Sequence, residues 1–168
     1  MEMETDATAG IVEQWRRERP DLDPAPMLVV GRLFRLTDAV DQLLRAPFAE
    51  AGLGNGDFDV LAALRRAGAP YALSAGELSR TVLVTTGAIT KRVDRLAARG
   101  LVTRAVAEHD SRGRLITLTD EGVALVDELI AVHLENQRRL LAGLPETDRA
   151  HLAALLARLA ATLPLTVP

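Results

Sequence analysis

The chain has 168 residues, 48% of them hydrophobic, a formal net charge of −3 and no cysteine. That length suits one ordinary domain, or one domain that dimerises, and the missing thiol excludes disulfides, thiolate metal sites and thiol redox sensing. The acidic opening MEMETD has no positive flank followed by an apolar run, and Arg32 and Arg35 interrupt PMLVVGRLFRL before it could span a bilayer, so a soluble cytoplasmic protein is expected.

Ile11, Val12 and Trp15 stand at helical spacing in a short first helix that Pro20 limits, and the Pro-rich connector PDLDPAP follows. From about Met27 to Ala46, Val29, Val30, Leu33, Phe34, Leu36, Val40, Leu43 and Leu44 recur at helical intervals, with Pro47 and Gly52 marking the end. That apolar face is wider than one small core requires. Phe58, Val60, Leu61 and Leu64 define a helix from about Asp57 to Ala67, stopped by Gly68 and Pro70. Ser74 and Glu77 then form a capping box, each satisfying a free backbone N–H of a new helix start. A further start near Thr85 or Thr86 opens a helix ended by Gly100, and two short helices this close together read as helix-turn-helix. Two strand-like runs, LVTRAVA and RLITLT, flank the turn EHDSRG as a hairpin. Thr119 can cap the next helix, with Asp120 and Glu121 in its first turn and apolar residues from Val123 to Leu141. The last helix has Pro145 in its first turn and a stripe of Leu152, Leu155, Leu156, Leu159 and Leu163. The expected fold is mainly α with a small β-hairpin, a winged helix-turn-helix between N- and C-terminal helices.

Charge is unevenly spread along this order. Between Ser74 and Arg114 eight basic residues outweigh four acidic ones, a local +4 that leaves −7 on the rest. Such asymmetry suits one face meeting an anionic polymer, and equally an ordinary solvated face. The helix pair followed directly by a hairpin weighs toward double-stranded DNA. A helix about 10–12 Å wide fits the major groove, and a hairpin tip can bring arginine to the negative minor groove. That use is assigned to Arg112 and Arg114, with Gly113 easing the turn and Asp110 holding a neighbouring arginine or turn amide. On the second helix Ile89, Val93 and Leu96 form a buried stripe, leaving Thr86, Gly87, Thr90, Lys91 and Arg95 on the other side. Thr85, Thr86, Gly87 and Thr90 are candidates for close approach to base edges or phosphates; Lys91 and Arg95 are expected on phosphates.

These residues resemble the MarR family of bacterial transcription regulators. Its wing pattern, D-x-R followed by five residues and L-T, is matched by Asp110, Arg112 and Leu118-Thr119, and LSAGELSRTVLVTTGAITKRVDRLAARGLVTR resembles its helix-turn-helix throughout. Ser111 departs from the basic residue many members carry there. The resemblance implies a homodimer built from residues 27–52 and 120–168, with 1–26 an N-terminal helix and connector and 53–119 the winged DNA-binding lobe. It implies two reading heads roughly 34 Å apart on a pseudo-palindromic operator. It also implies a small-molecule pocket whose occupation usually relieves repression. A narrower similarity, to a urate-responsive subgroup with an added N-terminal helix, is carried by Trp15, Asp59, Arg92 and Arg104. It implies that Trp15 and Arg92 contact a planar organic anion such as urate and that Asp59 and Arg104 form a charge pair the ligand disturbs. An arginine fork and an indole suit such a ligand chemically; plain packing of Trp15 and a static ion pair of Asp59 are the competing readings.

An enzyme is not expected. His109, His133 and His151 are scattered, and neither an H-E-x-x-H helix, a G-x-S-x-G elbow nor a Gly-rich phosphate loop occurs. No cofactor is expected. The remaining alternatives are a metal-sensing winged helix and a winged helix serving only protein interaction.

Overall fold

The computed structural model describes residues 6–82, 86–107 and 110–163, and its chain divides into two compact units, residues 1–45 and 46–168. The elements in order are α1 (Ala7–Glu18), α2 (Met27–Glu50), α3 (Asp57–Arg66), β1 (Ala72–Ser74), α4 (Ala75–Val82), α5 (Thr86–Ala98), β2 (Val102–Ala107), β3 (Asp110–Leu118), α6 (Asp120–Leu140) and α7 (Glu146–Thr162). The fold is thus mainly helical with a small antiparallel sheet, as expected.

In the first unit Asp6 caps α1, its Oδ1 accepting from the Thr8 N–H at 3.1 Å, and its other oxygen accepts from Arg32 Nε on α2 at 2.9 Å. Thr8 is buried against Gly31, where a Cβ would stand 3.0 Å from the Thr8 methyl.

Pro47 does not end α2, contrary to expectation, because a proline in the last turn forfeits only its own N–H bond while its carbonyl still accepts from Ala51 at 3.1 Å. Gly52 ends the helix instead. With φ +70° it donates to the Ala49 carbonyl at 2.9 Å, while Leu53 donates to Phe48 at 2.8 Å, the paired bonds of a Schellman stop. Gly100 ends α5 by the same device, with φ +71° and bonds from Gly100 to Ala97 and from Leu101 to Leu96.

The sheet order is β1-β3-β2, antiparallel throughout. β1 was not expected: three residues are too few to display alternation, and the strand exists because Ala72, Leu73 and Ser74 pair with Thr117, Ile116 and Leu115. The hairpin is also longer than expected. Arg114 lies on β3 as expected, but Asp110 and Arg112 also belong to β3 rather than to a turn, since the pairing runs from Val102↔Leu118 to Val106↔Arg114 and then shifts, so that Ala107 faces Asp110. The shift leaves residues 111–113 between two registers, a bulge at the hairpin's end. Glu108 and His109 lie outside the described residues.

The core of the second unit forms around α3, which packs on α4, α5, α6 and β3. Val60, Leu61 and Leu64 are fully buried with Leu78 of α4, Ile89, Val93 and Leu96 of α5, Ile116 of β3 and Val126 of α6. Phe48 stacks on Phe58 with ring centroids 4.1 Å apart, and His133 of α6 tilts against both. Thr119 joins the lobe to α6: its hydroxyl donates to the Gly100 carbonyl at 2.7 Å and accepts from the Gly122 N–H at 3.0 Å. By contrast α2 and α7 contribute no buried residue, and Phe34 remains 72% exposed.

Two substitutions test this architecture. A Cβ at Gly122 would collide with the Leu101 carbonyl oxygen, a backbone atom, whereas one at Gly76 of α4 meets nothing within 4 Å. Gly122→Ala is expected to cost about 1–3 kcal/mol in urea denaturation, and Gly76→Ala to add about 0.4–1 kcal/mol. The second test concerns Glu77, whose carboxyl is held below its ordinary 4.5 by the hydrogen bonds it accepts from the Ser74 backbone N–H and then the Ser74 hydroxyl. A lowered carboxyl stabilises the fold above its unfolded value, and the contribution disappears as pH falls through the folded value. Wild type should therefore melt above Glu77→Gln at pH 7, with the gap closing below pH 4.5; a gap of constant size would remove the carboxylate from the cap.

Candidate nucleic-acid interface

The helix-turn-helix is made by α4 and α5, with residues 83–85 between them, Thr85 included, outside the described set. Local chemistry sets the start of α4. Glu77 accepts from the Ser74 N–H and hydroxyl at 2.8 Å, while the Glu77 N–H reaches the Ser74 hydroxyl at 3.3 Å, the reciprocal capping box read from the sequence. Leu78 is that helix's buried anchor.

On α5 the apolar stripe is placed as expected, with Ile89, Val93 and Leu96 buried. The opposite face carries Gly87, Thr90 and Lys91, all exposed, and a Cβ on Gly87 would meet nothing within 4 Å. Thr86 begins the helix. An exposed helix start with small residues and a lysine one turn in can accept a phosphate or let backbone approach a groove. Arg112 and Arg114 lie on β3, Arg114 opposite Val106 and Arg112 within the bulge, with Asp110 opposite Ala107.

Three further arginines of the basic stretch, Arg95, Arg99 and Arg104, are engaged within the lobe. Arg95 forms a fork on the Asp57 carboxylate, Nη2 to Oδ1 at 2.5 Å and Nε to Oδ2 at 3.2 Å, and that hydrogen bonding raises its already high pKa. Arg99 donates to the carbonyls of Gly52 and Ala51 at 2.7 and 2.9 Å. Arg104 reaches the Asp94 carboxylate at 2.7 Å and the Thr90 carbonyl at 3.3 Å. The expected Asp59–Arg104 charge pair is therefore not the one formed: Asp94, on the face of α5 beside β2, is the closer acid, and Asp59 is exposed at the start of α3.

Arg92 is different. Its guanidinium lies against Gly56, at the left-handed N-cap of α3, where a Cβ would overlap it. Its Nη1 is buried with no hydrogen-bond partner. A buried guanidinium N–H without an acceptor is costly and is satisfied by whatever anion or carbonyl reaches it. Trp15, on α1 in the first unit, is 47% exposed. Sequence reasoning missed two members of this arrangement. Asp57 is buried although charged, and Arg99 works on backbone carbonyls; the available signals were a carboxylate directly after Gly-Asn-Gly and two arginines four apart on one helix edge.

Among the described residues no three histidine, aspartate or glutamate side chains are grouped to hold a metal ion, and no helix is long and apolar enough to cross a membrane.

The MarR family profile matches residues 51–113, from the end of α2 into the bulge of β3. The transcriptional regulator PecS of Dickeya dadantii is 44% identical over 150 residues, covering 89% of this chain and 90% of PecS. Among solved structures, a cysteine-to-serine mutant of E. coli MarR complexed with operator DNA superposes with a TM-score of 0.68 at 26% identity, covering 86% of this chain and 96% of that one. BpsR of Bordetella bronchiseptica, whose DNA binding is regulated by 6-hydroxynicotinic acid, gives a TM-score of 0.68 at 26% identity, covering 78% and 92%. With PecS matched across nine-tenths of its length and the profile falling on the winged helix itself, the chain belongs to the MarR family of DNA-binding transcriptional regulators and is not an enzyme.

Proposed function

We propose that this regulator is a cytoplasmic homodimer that reads a pseudo-palindromic operator and represses, and that a planar organic anion such as urate releases it. The observation that carries the DNA reading is the exposed N-terminal face of α5, Gly87, Thr90 and Lys91, standing within the stretch from Ser74 to Arg114 that carries a local +4. Thr85, Thr86, Gly87 and Thr90 are assigned to the major groove and Lys91 to a phosphate; Arg112 and Arg114, with Asp110, are assigned to the minor groove beside it. E. coli MarR in complex with operator DNA supports this placement by likeness of fold and sequence.

Dimerisation is supported by two helices that leave most of their apolar side chains exposed among the described residues. The 24-residue α2 and the 17-residue α7 bury no residue, and α7 exposes Leu152, Leu155, Leu156 and Leu159, with Leu163 exposed directly after it. Apolar faces of this extent mark interaction surfaces, and a two-fold arrangement supplies the second reading head a palindrome needs.

The ligand reading rests on Arg92, a half-buried guanidinium whose Nη1 is buried and unsatisfied at the N-terminal end of α3, where the helix dipole also favours an anion. Asp59, exposed at the start of α3, and Arg104, paired with Asp94, stay assigned to the ligand response without the direct pair between them. BpsR lends support, since 6-hydroxynicotinic acid is itself a planar heterocyclic acid.

Anisotropy of a labelled duplex, selected by the protein from a randomised pool, tests both parts. Arg112→Ala should weaken binding and reduce the slope of log affinity against log salt by about one per reading head. An unchanged slope removes Arg112 from the wing contact. Urate should release the duplex from wild type but not from Arg92→Ala. Release from both variants alike would move the ligand elsewhere, and retention by wild type would exclude urate.

A further inference from the structure

Asp57 and Thr8 are the two buried polar residues among those described, and the Asp57 side chain is 3% exposed. Burying a carboxylate is expensive unless its oxygens are occupied, and here both are. Oδ2 accepts from the Gly54 N–H at 2.8 Å and from Arg95 Nε at 3.2 Å, and Oδ1 accepts from Arg95 Nη2 at 2.5 Å. Gly54 is held so closely that a Cβ there would stand 3.0 Å from the carboxylate and 3.2 Å from the arginine. One turn further on, directly after the last residue of α5, Arg99 clasps the carbonyls of Ala51 and Gly52. The C-terminal half of α5 is therefore tied at two successive turns to residues 51–57, which are 38 to 48 positions away in the chain.

Resting on the reading of α5 as the DNA-contacting helix, we propose that Asp57 is a positioning residue for DNA recognition. Its fork with Arg95, backed by Arg99, sets the angle at which α5 leaves the lobe and meets the groove. Two parallel hydrogen bonds fix direction as well as distance, which a single ammonium contact does not. Arg95 on this account serves geometry, and its charge is neutralised on Asp57 instead of on a phosphate. A helix held only by its apolar stripe can slide and roll within its packing, and a reading head that rolls loses sequence discrimination before it loses attraction to the polymer.

The test compares wild type, Arg95→Lys and Asp57→Asn on the selected duplex and on a scrambled duplex of the same length, across a salt series. Arg95→Lys keeps the charge and removes the fork. It should lower the ratio of specific to non-specific affinity by about tenfold, within the range of couplings inside one salt-bridge network, while leaving the salt slope unchanged. Asp57→Asn should lower the same ratio and, by freeing Arg95, steepen the slope. If Arg95→Lys keeps the wild-type ratio, or if Arg95→Gln reduces the slope by about one per head with the ratio intact, Arg95 is a phosphate contact and the proposal fails. Amide exchange of residues 86–98 in DNA-free protein is read in parallel and also serves should Asp57→Asn fold poorly. Faster exchange in Arg95→Lys supports the clamp, and equal exchange overturns it. A wild-type protein that selects no duplex would overturn the DNA-reading assignment and its consequence for specificity, while exchange would still decide whether the fork holds the helix.

Discussion

Everything in the winged lobe leans on a helix that almost no solvent reaches. Along α3, residues 57–64 are buried except Asp59, so α4, α5 and α6 all find their apolar partners on the same short rod. A helix enclosed in this way cannot carry charge in its middle, and its polar residues are driven to the ends. Asp57 stands at the first position, where the helix dipole favours an anion, and Arg65 stands in the last turn, pairing with Asp127 of α6 at 2.8 Å and lying over the Tyr71 ring. The same constraint that builds the core therefore confines the charged groups of α3 to its two ends, among them Asp57 and Arg65. These two each tie down a neighbouring helix.

The distribution of positive charge follows from that geometry and is narrower than a count along the chain implies. The local +4 between Ser74 and Arg114 suggests a broadly basic face. In the folded lobe Arg95 neutralises Asp57, Arg104 neutralises Asp94, and Arg99 occupies carbonyl oxygens at the end of α2. What remains for an outside anion on α5 is concentrated near Lys91, toward the helix start. Counterion release counts phosphates neutralised and not basic residues present, so the affinity such a surface can draw from charge is smaller than composition suggests, and its orientation matters more.

Much of this was legible in the sequence because the signals were local. The Ser74–Glu77 box, the Ile89–Val93–Leu96 stripe, the Thr119 cap and the glycine stops at Gly52 and Gly100 each depend on residues within one or two turns of one another, and the structure places them as read. What could not be read depends on partners distant in the chain. β1 exists only through pairing with β3, and the hairpin bulge only through the register its two strands adopt. Pro47 misled because a proline's cost depends on how many helical bonds remain to be lost, which are few in a last turn. The site behaved in the same way. Residue types on the exposed face of α5 were identified correctly from periodicity, but which acid each arginine meets is a tertiary fact: Arg104 lies beside Asp94, and Arg95 reaches across the lobe to Asp57.

These placements divide α5 into halves with different work. Its C-terminal half is bound to residues 51–57 by Arg95 and Arg99, and its N-terminal half presents Gly87, Thr90 and Lys91 outward. Arg92 sits between the halves with its guanidinium on Gly56, inside the same turn that Asp57 and Arg95 hold closed. An anion that satisfied the open valence of Arg92 would enter at that turn, beside a carboxylate already shared between Gly54 and Arg95. The two like charges, the anion on Arg92 and the Asp57 carboxylate on Arg95, would then repel across that turn. On the proposed ligand reading, the shortest physical route from such an anion to the exposed face of α5 would be a redistribution of hydrogen bonds around Gly54–Asp57, leaving the buried stripe that keeps α5 on the core in place.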